Sequence, residues 1–169
     1  MATYVLIHGA GSDSWYWHLV APELRARGHD VVVPDLPSDD DRAGLPEYAD
    51  AVVDAIGDRT DLVVVGQSLG GFTAPMVCAR VQATLLILVA AMIPRPGESA
   101  GDWWANTGWE QARRQQAERD GRSTGGDFDA RTEFFHDVSP DVVAQAFARG
   151  ERGQSGTPFP APVAARSMA

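Results

Sequence analysis

The hexapeptide Gly66-Gln67-Ser68-Leu69-Gly70-Gly71 constrains the chain more than any other stretch. It follows Asp61-Leu62-Val63-Val64-Val65, apolar and β-branched, and precedes Phe72 to Ala79, which has helical composition. A buried strand that enters Gly-x-Ser-x-Gly and leaves as a helix makes a nucleophile elbow. The serine takes a strained backbone conformation so that its Oγ points off the end of the sheet. Strand and helix then lie so close that Gly66 and Gly70 can carry no side chain. The Leu69 N–H, in the first helical turn, points where charge on an attacked carbonyl oxygen would collect. The plainer alternative is a glycine-rich strand–helix turn with a serine cap, and the flanking strand and helix weigh against it.

The other segments supply the sheet this turn needs. Tyr4-Val5-Leu6-Ile7 is a continuous apolar strand, as a central parallel strand is, and it stops at His8-Gly9-Ala10-Gly11. Asp13 and its serine neighbours offer caps, and a helix follows with Pro22 near its start and Gly28 past its end. Asp30 to Asp35 is the second strand with the turn leaving it, and Ser38 to Gly44 is a solvated loop. Leu45, Ala49, Val52 and Ile56 mark one face of a helix over 45–56. Thr84 to Ala90 is a fourth strand, expected to be buried. Strands alternating with helices predict an α/β fold, a doubly wound parallel sheet of four strands. Chemistry in such sheets sits at the carboxyl ends of the strands, where both His8–Gly11 and Ser68 fall.

The pattern changes from Pro94, where Ile93-Pro94-Arg95-Pro96-Gly97 breaks the regular alternation. Residues 1–97 read as the core and 98–150 as a helical cap inserted after the fourth strand. Within the cap, Glu110 to Asp120 is a polar helix and Gly121 to Gly126 a flexible loop. Ser139-Pro140-Asp141 starts another helix, which Gly150 stops. Trp103, Trp104 and Trp109 either line an apolar pocket or pack the cap to the sheet. Residues 151–169, with Pro158, Pro160 and Pro162, read as an extended tail.

Charge and composition exclude several functions. A net charge of -9 argues against nucleic acid and anionic membranes as partners. All 14 basic residues are Arg, which removes a Walker lysine, a Schiff base and a lysine base together. Cys78 is single and reads as a small core residue, and no metal-ligand or cofactor spacing appears. No basic region precedes the first apolar residues, so no signal peptide is expected. The apolar run Ala83 to Ile93 is too short to span a bilayer. The default expectation is a cytoplasmic protein.

One rival uses the first strand. Gly9-x-Gly11 with Asp35 at the end of the next strand is superficially a dinucleotide fingerprint. Ser14 stands where the third glycine belongs, bulky Trp15 and Trp17 follow, and the serine turn stays unexplained.

A hydrolase explains both ends at once, because the turn after the first strand can aim the Ala10 N–H at the oxygen Leu69 N–H faces. Each such donor is worth about 3 kcal/mol of barrier. Leu6-Ile7-His8-Gly9-Ala10-Gly11, Val33-Pro34-Asp35-Leu36-Pro37 and Gly66 to Gly71 occur in the order and spacing of the α/β-hydrolase superfamily. The chain most resembles its small branch of plant-type methylesterases and hydroxynitrile lyases, with their bacterial carboxylesterase relatives. The resemblance implies hydrolysis of a small-molecule carboxylic ester through an acyl-serine. Ser68 matches the nucleophile, Ala10 and Leu69 the oxyanion-hole amides, and Gly9, Gly66 and Gly70 the motif glycines. His8 takes a structural part.

The chain departs from that pattern at its end. The superfamily's acid and His follow the serine on loops after two further strands. Ala169 falls about where the first of those strands would begin, so the last two strands and helices are expected to be missing. His18 and His29, near the first helix, read as solvent-facing. His136, beside Phe134 and Phe135, is a candidate substitute base, with cap packing its plainer role. A bare Thr84 to Ala90 edge invites a homodimer. Cyanohydrin cleavage and a non-catalytic, self-associating remnant are the alternative functions.

Overall fold

The computed structural model describes residues 1–121, 129–150 and 152–160. The loop expected over Gly121 to Gly126 lies outside them apart from Gly121, as does the tail beyond residue 160. Four parallel strands, β1 (Thr3–Ile7), β2 (Asp30–Val32), β3 (Leu62–Gln67) and β4 (Ala83–Val89), form one sheet in the order β2-β1-β3-β4. Thr3 lies opposite Leu62 and Ile7 opposite Gly66, so β3 ends one residue beyond β1. That register brings the residues after each strand, His8 and Ser68, to one edge.

Alternate residues of the central strands feed two layers. Val5, Ile7 and Val64 pack against Tyr48, Val52 and Ile56 of α2 (Leu45–Ile56) and Ala74 and Val77 of α3 (Gly70–Cys78). Leu6, Val63 and Val65 pack on the other face against Trp17 and Ala21, the latter on α1 (Val20–Ala26). With both faces covered, the central strands must be apolar throughout, as their sequence is. Each such side chain contributes about 1.5–3 kcal/mol on burial. Cys78 is half-buried against the α2–α3 layer.

Local chemistry sets the element ends. The Glu47 carboxylate accepts the Gly44 N–H at 2.8 Å, holding the start of α2, and Pro46 sits in its first turn. β2 stops at Val32, earlier than its β-branched run suggests, and Pro34 just beyond has no N–H for a ladder. β3 extends to Gln67, which lies opposite Val89.

β4 corrects the expectation of a fourth buried strand and keeps the bare edge expected of it. It pairs with β3 on one side and is the edge of the sheet among the described residues. Leu85 keeps 51% of its surface exposed, Leu86 36% and Val89 39%. An apolar run signals burial, but it does not say on how many sides.

The chain forms two compact units. The first takes in Met1–Trp103 with the segment from Arg152, the second Trp104–Glu151. Ala100, at the start of α4 (Ala100–Thr107), is buried with Leu45, Leu69, Phe72 and Met92, and Trp103 packs on the same cluster. Residues 98–103, which composition assigns to a cap, therefore go with the sheet. Residues 152–160 are pinned rather than simply extended. The Ser155 N–H donates to Ser38 O at 2.7 Å and Thr157 Oγ1 to Asp41 O at 2.7 Å. The chain then turns, with Phe159 N–H donating to Gly156 O at 3.2 Å.

The second unit holds α5 (Trp109–Arg119), α6 (Ala130–Phe134) and α7 (Pro140–Ala148). Arg113 pairs with Glu133 at 3.0 Å, linking α5 to α6. The Arg131 guanidinium lies 4.3 Å from the Phe147 ring centre. Trp104 and Trp109 meet edge to face at 4.7 Å. Among the described residues, Ala117 and Val143 are its buried apolar side chains, a thin core. No helix of the described residues is long and apolar enough to cross a membrane.

Candidate active site

Ser68 stands between the end of β3 and the start of α3 with φ 49°, the left-handed region that non-glycine residues avoid. Holding serine there costs about 1–3 kcal/mol, so the surroundings must enforce it. They do so from three directions. The Ser68 N–H donates to Val89 O at 3.3 Å, and Ser68 O accepts the N–H of Gly71 at 2.9 Å and of Met92 at 3.0 Å. The end of β4, the residues just after it and the start of α3 therefore hold the peptide units on both sides of Ser68.

The glycines answer to space. A Cβ on Gly66 would lie 2.7 Å from Gly70 O and 2.9 Å from Ala74 Cβ. One on Gly70 would lie 3.0 Å from Ile7 O, where α3 crosses the end of β1. Gly71 is tighter still, because its Cβ would run into Met92 O. Gly71 is part of the motif, but its partner Met92 carries no signal in the sequence.

The turn after β1 lies against the serine. A Cβ on Gly9 would come 2.6 Å from Gln67 Oε1. His8, 1% exposed, organises this turn. Its Nε2 accepts the Leu36 N–H at 3.2 Å, which leaves the proton on Nδ1, 2.9 Å from Gly9 O. Burial pushes the His8 pKa below its ordinary value, so the ring stays neutral, as this arrangement requires. Gly9 O and Ala10 N–H belong to one peptide unit and point in opposite directions. The His8 ring thus sets the direction of the Ala10 amide. Neither the Ala10 nor the Leu69 N–H donates to any acceptor among the described residues. The half-buried Ser68 hydroxyl likewise has no partner among them.

Other sequence candidates are occupied elsewhere. Asp35 accepts the Ser14 N–H at 2.7 Å, closing the turn that opens Ser14–Trp17. Partial burial raises its pKa, but the hydrogen bonds from Ser14 outweigh this and hold it low. His18 and His29 are half-buried and partnered rather than solvent-facing. His18 stacks on Trp15 at 3.9 Å, and His29 meets the edge of Tyr4 at 5.0 Å and accepts the Ala2 N–H. His136 lies exposed in the second unit and has no hydrogen-bond partner among the described residues. A cleft of about 410 Å³ lined by Arg59, Asp61 and Thr84 opens at the amino ends of β3 and β4, away from Ser68.

A parallel sheet whose third strand enters a serine-tipped turn, met by a glycine turn from the first strand, defines a class. The profile of the alpha/beta hydrolase family matches residues 4–168, and the chain belongs to that family. Its relatives include methylesterases and another esterase. Methylesterase 3 of Arabidopsis thaliana is 28% identical over 124 residues, 66% of this chain and 47% of the relative. A carbendazim hydrolyzing esterase of Nocardioides sp. is 30% identical over 110 residues, 59% of this chain and 46% of the relative. The chain thus spans about half the length of these two relatives. An extracellular alpha/beta-hydrolase from a Paenibacillus species, similar in structure and function to tobacco salicylic acid binding protein 2, has a TM-score of 0.73 at 25% identity. That match covers 98% of this chain and 72% of the other.

Proposed function

We propose that the chain hydrolyses small carboxylic esters through an acyl-serine on Ser68. The observation that carries this is the strained Ser68, held through the peptide units on both its sides and bordered by two amides that have no acceptor among the described residues. The Ser68 Oγ attacks the ester carbonyl carbon, and the carbonyl oxygen becomes a tetrahedral oxyanion. The Ala10 and Leu69 N–H groups take that oxyanion, already oriented, so no reorganisation is needed as charge develops. The oxyanion collapses, expels the alcohol and leaves an acyl-serine, which water then cleaves. Relatives named as esterases and methylesterases support the reaction class.

Proton transfer is the weak step. Among the described residues no imidazole or carboxylate is hydrogen-bonded to the Ser68 hydroxyl. Loss of the base in such sites costs about 10⁴ to 10⁶ in turnover, so the oxyanion donors carry the remaining acceleration, about 10³ over water. His136, with its ring uncommitted among the described residues, is the histidine to test as a base.

The test is steady hydrolysis of p-nitrophenyl acetate by the native chain, Ser68→Ala and His136→Ala. Turnover lost in Ser68→Ala supports the reading, and additional loss in His136→Ala assigns the base. Equal rates in the native chain and Ser68→Ala overturn the enzymatic reading.

A further inference from the structure

Gln154 reaches back across 143 positions of sequence to the turn after β1. Its Oε1 accepts the Gly11 N–H at 3.1 Å, and its Nε2 donates to the Tyr48 hydroxyl at 3.1 Å and to Ser155 O at 2.9 Å. The orientation of this amide is dictated by its neighbours. A backbone N–H needs an acceptor, so the oxygen faces Gly11, and both remaining partners accept from the nitrogen. Tyr48 is 1% exposed in the core, so the far end of Gln154 is tied to rigid structure. Residues on either side are fixed too. Arg152 lies 3.6 Å from the Asp13 carboxylate, and Ser155 and Thr157 bond to the loop after β2.

The consequence falls on Ala10. Its two flanking peptide units are each held by one side chain: Gly9–Ala10 by His8 and Ala10–Gly11 by Gln154. Fixing both planes fixes the φ and ψ of Ala10 and hence the aim of its N–H. Gly11, at φ 64°, turns the chain away in a conformation suited to glycine, so without a tether the turn has little of its own to hold it.

We propose that Gln154 is a positioning residue for the oxyanion donor, acting through Gly11 and Ala10. The proposal rests on the ester-hydrolase reading of Ser68. Misaiming a donor by a fraction of an ångström weakens it most in the transition state, so the loss belongs in kcat rather than KM.

The experiment compares kcat and KM for p-nitrophenyl acetate, with unfolding midpoints, in the native chain and Ser68→Ala, Gln154→Ala, Gln154→Glu, Tyr48→Phe and Thr157→Ala. Gln154→Ala is expected to lower kcat about tenfold with KM little changed. Gln154→Glu keeps an acceptor for the Gly11 N–H and restores most of that loss. Tyr48→Phe keeps the buried ring, frees the far end of Gln154 and lowers kcat in the same direction. Thr157→Ala removes a bond of the same segment without touching Gly11 and leaves kcat near native. Ser68-dependent turnover that Gln154→Ala and Tyr48→Phe leave unchanged overturns the role of Gln154 alone. A kcat loss shared equally by Thr157→Ala overturns it as well, assigning the effect to the segment as a whole. Turnover that survives Ser68→Ala overturns the hydrolase reading, and this proposal with it.

Discussion

A Cβ placed on Gly9 would lie 2.8 Å from the Cβ of Ser68. The turn after β1 and the elbow after β3 are thus in contact at one atom's clearance, and the site is built on that contact. Gly9→Ala forces them apart. We expect hydrolysis to fall more than tenfold and stability to drop by about 1–3 kcal/mol, the usual cost of overpacking. Ester turnover and a urea titration on the same sample check this.

Strain at Ser68 predicts opposite effects on stability and activity. Ser68→Gly relieves a left-handed backbone angle that Ser68→Ala retains. Ser68→Gly should be more stable than Ser68→Ala by about 1 kcal/mol, with both inactive. Denaturant midpoints of the two variants measure the difference.

His8 predicts a pH dependence. Burial holds its pKa below the ordinary 6.5 in the folded chain. As pH falls through that value the unfolded chain binds a proton that the folded chain refuses, so stability decreases and levels off below the folded-state pKa. The unfolding midpoint, followed from about pH 7 to about pH 5, should decline. His8→Asn should be less stable near neutral pH and lose the part of the decline that belongs to His8.

The edge strand predicts association. Leu85, Leu86 and Val89 present apolar surface on β4, and unpaired apolar edges seek other strands. The native chain should sediment faster as its concentration rises. Leu86→Lys should reduce that dependence, as lysine on an edge opposes pairing.

Much of this was legible from residues near one another in sequence. The elbow announces itself because strand, glycines and helix are contiguous, and α2 because its apolar positions repeat on one face. The layout at the site was harder. Met92 and Val89 grip Ser68 through backbone groups, which no side-chain pattern reports. Gln154 sits in a polar, proline-rich stretch that reads as a tail, and its value comes from a partner 143 positions away. The composition of β4 alone reads as a buried central strand, while its bare edge follows only from what the superfamily's sheet would pair beside it.

The acyl-serine itself is the most direct test. The native chain is mixed with p-nitrophenyl acetate, quenched in acid, digested and weighed peptide by peptide. If Ser68 attacks as proposed, and with no base bonded to its hydroxyl among the described residues to speed hydrolysis of the intermediate, one acetyl group should accumulate on the peptide carrying Ser68. Ser68→Ala should show none. A native chain left unlabelled there, or a label on that peptide that persists in Ser68→Ala, would contradict the account.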